Sequence, residues 1–118
     1  MTTDNIEKRR YPRVWVDWPV IVLTSRRSIG GEAINISMGG ALITCPTGAG
    51  KEEALRIIIK PPLREKSLLV SAEIAWSELD EHAEHPTLKG MGLRFTRFST
   101  DDRQFLSRTI LDQLKLTD

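Results

Sequence analysis

The sequence has a single cysteine, Cys45, among 118 residues. A lone thiol has no internal partner, which excludes a disulfide framework and fits a reducing cytoplasm. Cys45 lies in an apolar run, where a buried and inert thiol is favoured over a nucleophile. No uninterrupted apolar stretch approaches the roughly 18 residues that a membrane helix needs, so insertion into a bilayer is not expected. The first residues, MTTDNIEKRRYPR, hold a basic cluster with no apolar segment behind it, unlike a secretory signal. No internal repeat is visible, which removes solenoids and propellers. Net charge is also scarce. The 17 basic and 16 acidic residues leave +1, which argues against a general binder of nucleic-acid polymers.

What remains is the composition of an ordinary globular domain: 40% hydrophobic and 28% charged. The length suits one domain with one core. Charge is concentrated locally rather than spread. Lys8, Arg9, Arg10 and Arg13 cluster at the N-terminus beside Glu7, while Glu78, Asp80, Glu81 and Glu84 are expected in an acidic loop.

Residues 14–24 are rich in β-branched and aromatic side chains, and Val14, Val16, Trp18, Val20 and Val22 share one parity. That pattern predicts a strand with one buried face. Pro19 lacks a ladder donor, so an edge or bulge is expected there. Residues 25–31 read as a turn into a second strand at 32–36, and Ser37-Met38-Gly39-Gly40 as a turn into a third at 41–45. A polar loop covers 46–53, and a fourth strand at 55–60 stops at Pro61-Pro62. Residues 68–78 alternate, with Leu68, Val70, Ala72, Ile74 and Trp76 on one face, which points Trp76 toward the core. A sixth strand at 90–96 turns Met91, Leu93 and Phe95 inward and leaves Arg94 to solvent. Ser99 reads as a helix N-cap with Asp102 as its capping-box partner, followed by Phe105, Leu106, Ile110, Leu111 and Leu114 at helical spacing. Six short strands and one terminal helix predict a mainly β fold, an antiparallel β-barrel with a C-terminal α-helix. An open sheet is the alternative, but closure removes the exposed edges.

Two short patterns carry chemistry. Arg9 and Arg13 form an R-x-x-x-R at the entrance to the first strand. Asn35, Ser37 and Gly40 form an N-x-S-x-x-G at the end of the second. Residues two apart on a strand share a face, so Asn35 and Ser37 are expected outside the barrel, opposite Ile34 and Ile36. Gly40 is expected at a position open to positive φ and to close approach of a ligand. Arginine pairs bidentately with phosphate or with guanine O6 and N7, and its flat face stacks on a purine. Pro12 disfavours helix at Tyr11, so an extended arm is expected.

In order and placement these patterns resemble the PilZ domain family, whose signature is R-x-x-x-R followed by [D/N]-x-S-x-x-G. Gly90-Met91-Gly92-Leu93-Arg94-Phe95 also resembles that family's closing strand. The resemblance implies a PilZ-like, split-barrel type of β-barrel, with residues 1–13 as a flexible arm and 14–118 as the barrel and helix. It implies binding of cyclic di-GMP, often as an intercalated dimer, with no chemistry done on it. The arginines matching Arg9 and Arg13 would grip phosphates and guanine edges, and Arg10 would add a third fork. Asn35 and Ser37 would hydrogen-bond a guanine beside Gly40, and Trp76 occupies the place from which some members stack on a guanine. The implied protein is a cytoplasmic adaptor, not an enzyme, that alters its arm and surface to regulate a protein partner. The rival is a PilZ-like interaction module that does not bind nucleotide.

Other patterns fail on their chemistry. A catalytic zinc site needs three ligands in rigid geometry, whereas Glu81, His82, Glu84 and His85 read as an acidic surface loop. Gly48-Ala49-Gly50-Lys51 lacks the first glycine of a phosphate loop, since Cys45 stands there, and Glu52 follows the lysine. No serine, histidine and carboxylate triplet can be assembled.

Overall fold

The computed structural model describes residues 11–45, 54–62, 65–80 and 87–117. The chain forms six strands: β1 Val14–Leu23, β2 Ser28–Ile36, β3 Gly40–Thr44, β4 Ala54–Ile59, β5 Leu68–Asp80 and β6 Thr87–Phe98. The helix α1 follows at Thr100–Thr117. The strands close into an antiparallel barrel in the order β1-β2-β3-β6-β5-β4, with β4 returning to pair with β1. Closure satisfies the backbone groups that an open sheet would leave at its edges. Val20, Val22, Ile36, Ile43, Ile57, Ile59, Leu68, Val70 and Met91 fill the interior.

Register breaks at bulges, and each break moves side chains between faces. One falls in β1 between Trp15 and Trp18, just before Pro19. The Pro19 carbonyl accepts the Lys60 N–H at 2.9 Å. On a strand the N–H and C=O of one residue point to the same side, so the missing donor falls where the β1–β4 ladder ends. A second break puts an extra residue, Ile34, between Ala33, which pairs with Ile43, and Asn35, which pairs with Leu42. A third lies in β5 between Ile74 and Trp76.

Several expectations need correction. The turn after β1 is shorter than residues 25–31. Thr24 N–H donates to the Arg27 carbonyl at 2.9 Å, and Thr24 Oγ1 accepts the Arg26 and Arg27 N–H groups. Four residues suffice because that hydroxyl satisfies the turn's donors, so pairing resumes at Ser28. β5 and β6 run on to Asp80 and from Thr87, so Glu78 and Asp80 belong to a strand rather than a loop. The patterns at residues 46–53 and 81–86 lie outside the described residues.

The helix cap forms as expected, with Asp102 N–H donating to Ser99 Oγ at 3.1 Å. Asp102 Oδ2 also accepts the Leu69 N–H at 3.2 Å, which ties the first turn of α1 to β5. Leu106 and Ile110 are buried against the barrel, but Leu111 is 54% exposed and leaves the expected apolar stripe.

Removing the cap hydroxyl in Ser99→Ala should cost about 1 kcal/mol, seen as a fall in Tm of about 4 °C in thermal unfolding. Cys45 is only 4% exposed, and burial raises its thiol pKa above the ordinary 9.0. In the native state the thiol should resist disulfide reagents and react only on unfolding. A raised folded pKa contributes stability fully below the unfolded thiol's pKa. Chemical denaturation should show that contribution declining as pH rises above it.

Candidate functional site

The two sequence patterns meet through backbone pairing. Val14 pairs with Ile36 and Trp15 with Asn35, so the end of the first pattern abuts the start of the second. The Tyr11 ring lies on the turn that follows. A β-carbon at Gly39 would come 2.8 Å from Tyr11 Cδ2, so a side chain there would displace the ring.

The turn itself is built by Ser37. Its N–H donates to the Gly40 carbonyl at 2.8 Å, and its Oγ accepts the N–H groups of Gly39 and Gly40 at 3.1 and 3.2 Å. The same hydroxyl donates to the Gly40 carbonyl at 3.4 Å. The serine therefore shapes the turn, as its residue type favours. Gly40 departs from expectation in its reason. It does not adopt positive φ; instead a β-carbon there would run into the Leu93 carbonyl oxygen of β6. Gly40 pairs with Arg94, and Phe95 N–H donates to the Gly39 carbonyl at 2.9 Å, so the turn is clamped to β6.

Across β6, the extra residue in β5 is Ala75. Ile74 pairs with Leu93 on the inner side, whereas Trp76 pairs with Gly92 on the outer side. Trp76 therefore leaves the core predicted by strict alternation and is 51% exposed. Its indole lies across Gly92, where any β-carbon would overlap the ring, and its edge reaches toward Gly90. The glycine alternation of β6 thus provides a shelf for an aromatic ring.

These elements surround a cavity of about 740 Å³ on the barrel's outer wall. Arg13, Ser37, Gly40 and Trp76 line it, as do Tyr11, Arg94, Arg97 and Arg103. Asn35 is not among its lining residues. Its pairing with Trp15 and Leu42 places it on the outer side, as expected, but it is 8% exposed and buried there. Arg9 and Arg10 lie outside the described residues.

Arg94 does not simply face solvent: it lines the cavity and is ion-paired with Glu73. Arg97 and Arg103 escaped the sequence reading. A bulge leaves Thr96 unpaired between Phe95, opposite Ala72, and Arg97, opposite Ser71. Strict alternation from Arg94 would turn Arg97 inward; the bulge returns it to the outer side. Arg103 sits in α1 with its guanidinium 5.5 Å from the centre of the Phe98 ring. Nothing in spacing distinguished it from a solvated helix arginine.

No acidic residue is among the described residues lining the cavity. Four guanidinium groups, one shared with Glu73, favour an anion, and the exposed Trp76 and Tyr11 rings offer stacking faces. The raised pKa values belong elsewhere: Cys45, and Glu32, whose carboxyl is raised by hydrogen bonding and repulsion from Asp17. Among the described residues, no cluster of histidine, cysteine and carboxylates is arranged to hold a metal.

The sequence profile of the PilZ domain matches residues 7–112. The chain belongs to the PilZ domain family. Among solved structures it is similar to the Bacillus subtilis inhibitor of motility, MotI/DgrA, at 26% identity and a TM-score of 0.73, over 92% of this chain and 52% of that one. The PilZ domain of Escherichia coli YcgR with c-di-GMP is similar at 17% identity and a TM-score of 0.68, over 93% and 94%. Borreliella burgdorferi PlzA in complex with c-di-GMP is similar at 13% identity and a TM-score of 0.64, over 98% and 55%. This PilZ domain therefore spans about half the length of MotI and PlzA. No curated protein sequence matches it.

Gly92→Ala should lift the indole of Trp76 off β6. Near-UV circular dichroism and tryptophan fluorescence should change, whereas in a Trp76→Phe background the same glycine substitution should leave the remaining tryptophan signals unaltered.

Proposed function

We propose that this PilZ domain is a receptor for cyclic di-GMP and acts as an adaptor rather than an enzyme. The observation that carries this reading is the arginine-lined cavity with an exposed tryptophan and no acid among the described residues that line it, formed where the two signature patterns meet. Cyclic di-GMP has two phosphates and two flat guanines. Arginine forks suit the first, and arginine planes with the Trp76 and Tyr11 rings suit the second. The cavity volume lies within the range of small-molecule sites, roughly 300–1,000 Å³.

In this reading Arg13, with Arg9 and Arg10 from the arm, grips phosphates and guanine edges. Gly40 holds the turn close to β6, and Ser37 presents that turn. Asn35 engages the ligand only if the strand end opens, since it does not line the cavity. Trp76 stacks on a guanine. The ligand would bind here as a monomer or as an intercalated dimer. Ligand binding orders residues 1–13 over the barrel face and so changes the surface offered to a protein partner in the cytoplasm. MotI, named for inhibiting motility, supports regulation by association.

The test is isothermal titration calorimetry with cyclic di-GMP, against GMP and cyclic di-AMP, on wild type and Arg13→Ala. Loss of one charged fork should cost about 1.5–3 kcal/mol, or roughly ten- to a hundredfold in Kd. Hydrogen exchange of residues 1–13 should slow at saturating ligand. Absence of heat with every nucleotide, together with unchanged NMR shifts, would transfer the reading to an interaction module that binds no nucleotide.

A further inference from the structure

A second groove, of about 690 Å³, adjoins the first, and its α1 residues beyond Arg103 are not used by the nucleotide reading. Its lining includes apolar Tyr11, Met38 and Leu111 and basic Arg103 and Arg108. The α1 contribution comes from positions 103, 104, 107, 108 and 111, one stripe about two turns long. A separate stripe, Leu106 and Ile110, is buried on the barrel. So α1 is amphipathic toward the core and carries, beside its solvated face, a leucine 54% exposed on the same stripe as two arginines. No acidic residue is among the described residues lining this groove.

We propose that this groove docks an acidic amphipathic helix of a protein partner. Charge complementarity selects that occupant. Leu111, Met38 and Tyr11 fit the apolar anchors that a docked helix presents at i, i+3 or i+4 and i+7, and Arg103 and Arg108 meet carboxylates flanking them. The basic sequence around Lys8, Arg9 and Arg10 is repelled by the same arginines, so this chain's own N-terminus is a poor occupant.

The groove is coupled to the neighbouring cavity because Tyr11, Met38 and Arg103 line both. This part rests on the nucleotide reading. Ligand that moves Tyr11 or recruits Arg103 reshapes the partner groove, and by linkage the partner alters ligand affinity by the same factor.

The test uses the full chain and two fluorescein-labelled helical peptides of about five turns. They share a leucine stripe and differ in carrying glutamates or lysines beside it. Fluorescence anisotropy should show saturable binding of the glutamate peptide, weakened by salt, and none of the lysine peptide. Arg108→Glu and Leu111→Glu should each weaken binding by about tenfold or more, with circular dichroism and Tm unchanged. Arg108 and Leu111 line only the second groove, so cyclic di-GMP titrations of both variants should match wild type.

Equal binding of both peptides, no binding of either, or insensitivity to Arg108→Glu would overturn the proposal. So would self-association in sedimentation that Leu111→Glu abolishes, which assigns the groove to a second copy. So would a tenfold gain in peptide affinity on deleting residues 1–10, which assigns it to the N-terminus. Peptide binding in a protein that gives no heat with cyclic di-GMP upholds the groove while the nucleotide reading falls. Peptide affinity unmoved by bound cyclic di-GMP overturns the coupling.

Discussion

The site depends on how closely β3 approaches β6 at Gly40. A side chain there has no space against the Leu93 carbonyl, so glycine lets the two strands pair at that point. From this contact the rest follows. The Ser37 turn is held down by the Phe95 N–H bond to Gly39, Tyr11 rests on Gly39, and Arg13 is brought beside Arg94 and Trp76 around one cavity. Each of these links is steric or a backbone hydrogen bond, which makes the site's shape a property of the barrel rather than of long mobile side chains.

On that frame the protein concentrates positive charge that its composition conceals. Near neutrality over the whole chain coexists with arginines drawn from the entrance to β1, from β6 and from α1. In a concave wall such charges reinforce one another and focus the field on a small anion. The same arrangement gives α1 two functions. One stripe holds the helix to the core, and another carries Arg103, which lines both neighbouring grooves, and Arg108, which lines the second.

Much of the fold was legible because alternation and turn chemistry are local. Core residues of β1, β4 and β5 follow parity as far as Ile74, and Ser99 caps α1 as its residue type predicts. Reading failed where one inserted residue reset the parity. Ala75 turned Trp76 from the core to the surface, and Thr96 set Arg97, which lay beyond the expected end of the sixth strand, on the cavity side. A bulge has no strong sequence mark, since it is decided by what the neighbouring strand offers. For Trp76 that was the bare backbone of Gly92.

The sequence alone determined the architecture, the order of the two signature patterns and the family to which they belong, because strand periodicity, turn residues and arginine spacing are written along the chain. Tertiary structure decided which of those residues share a cavity. It buried Asn35 and added Tyr11, Arg97 and Arg103. Those outcomes arise from strand register and close backbone approach between elements distant in sequence, which no local pattern encodes.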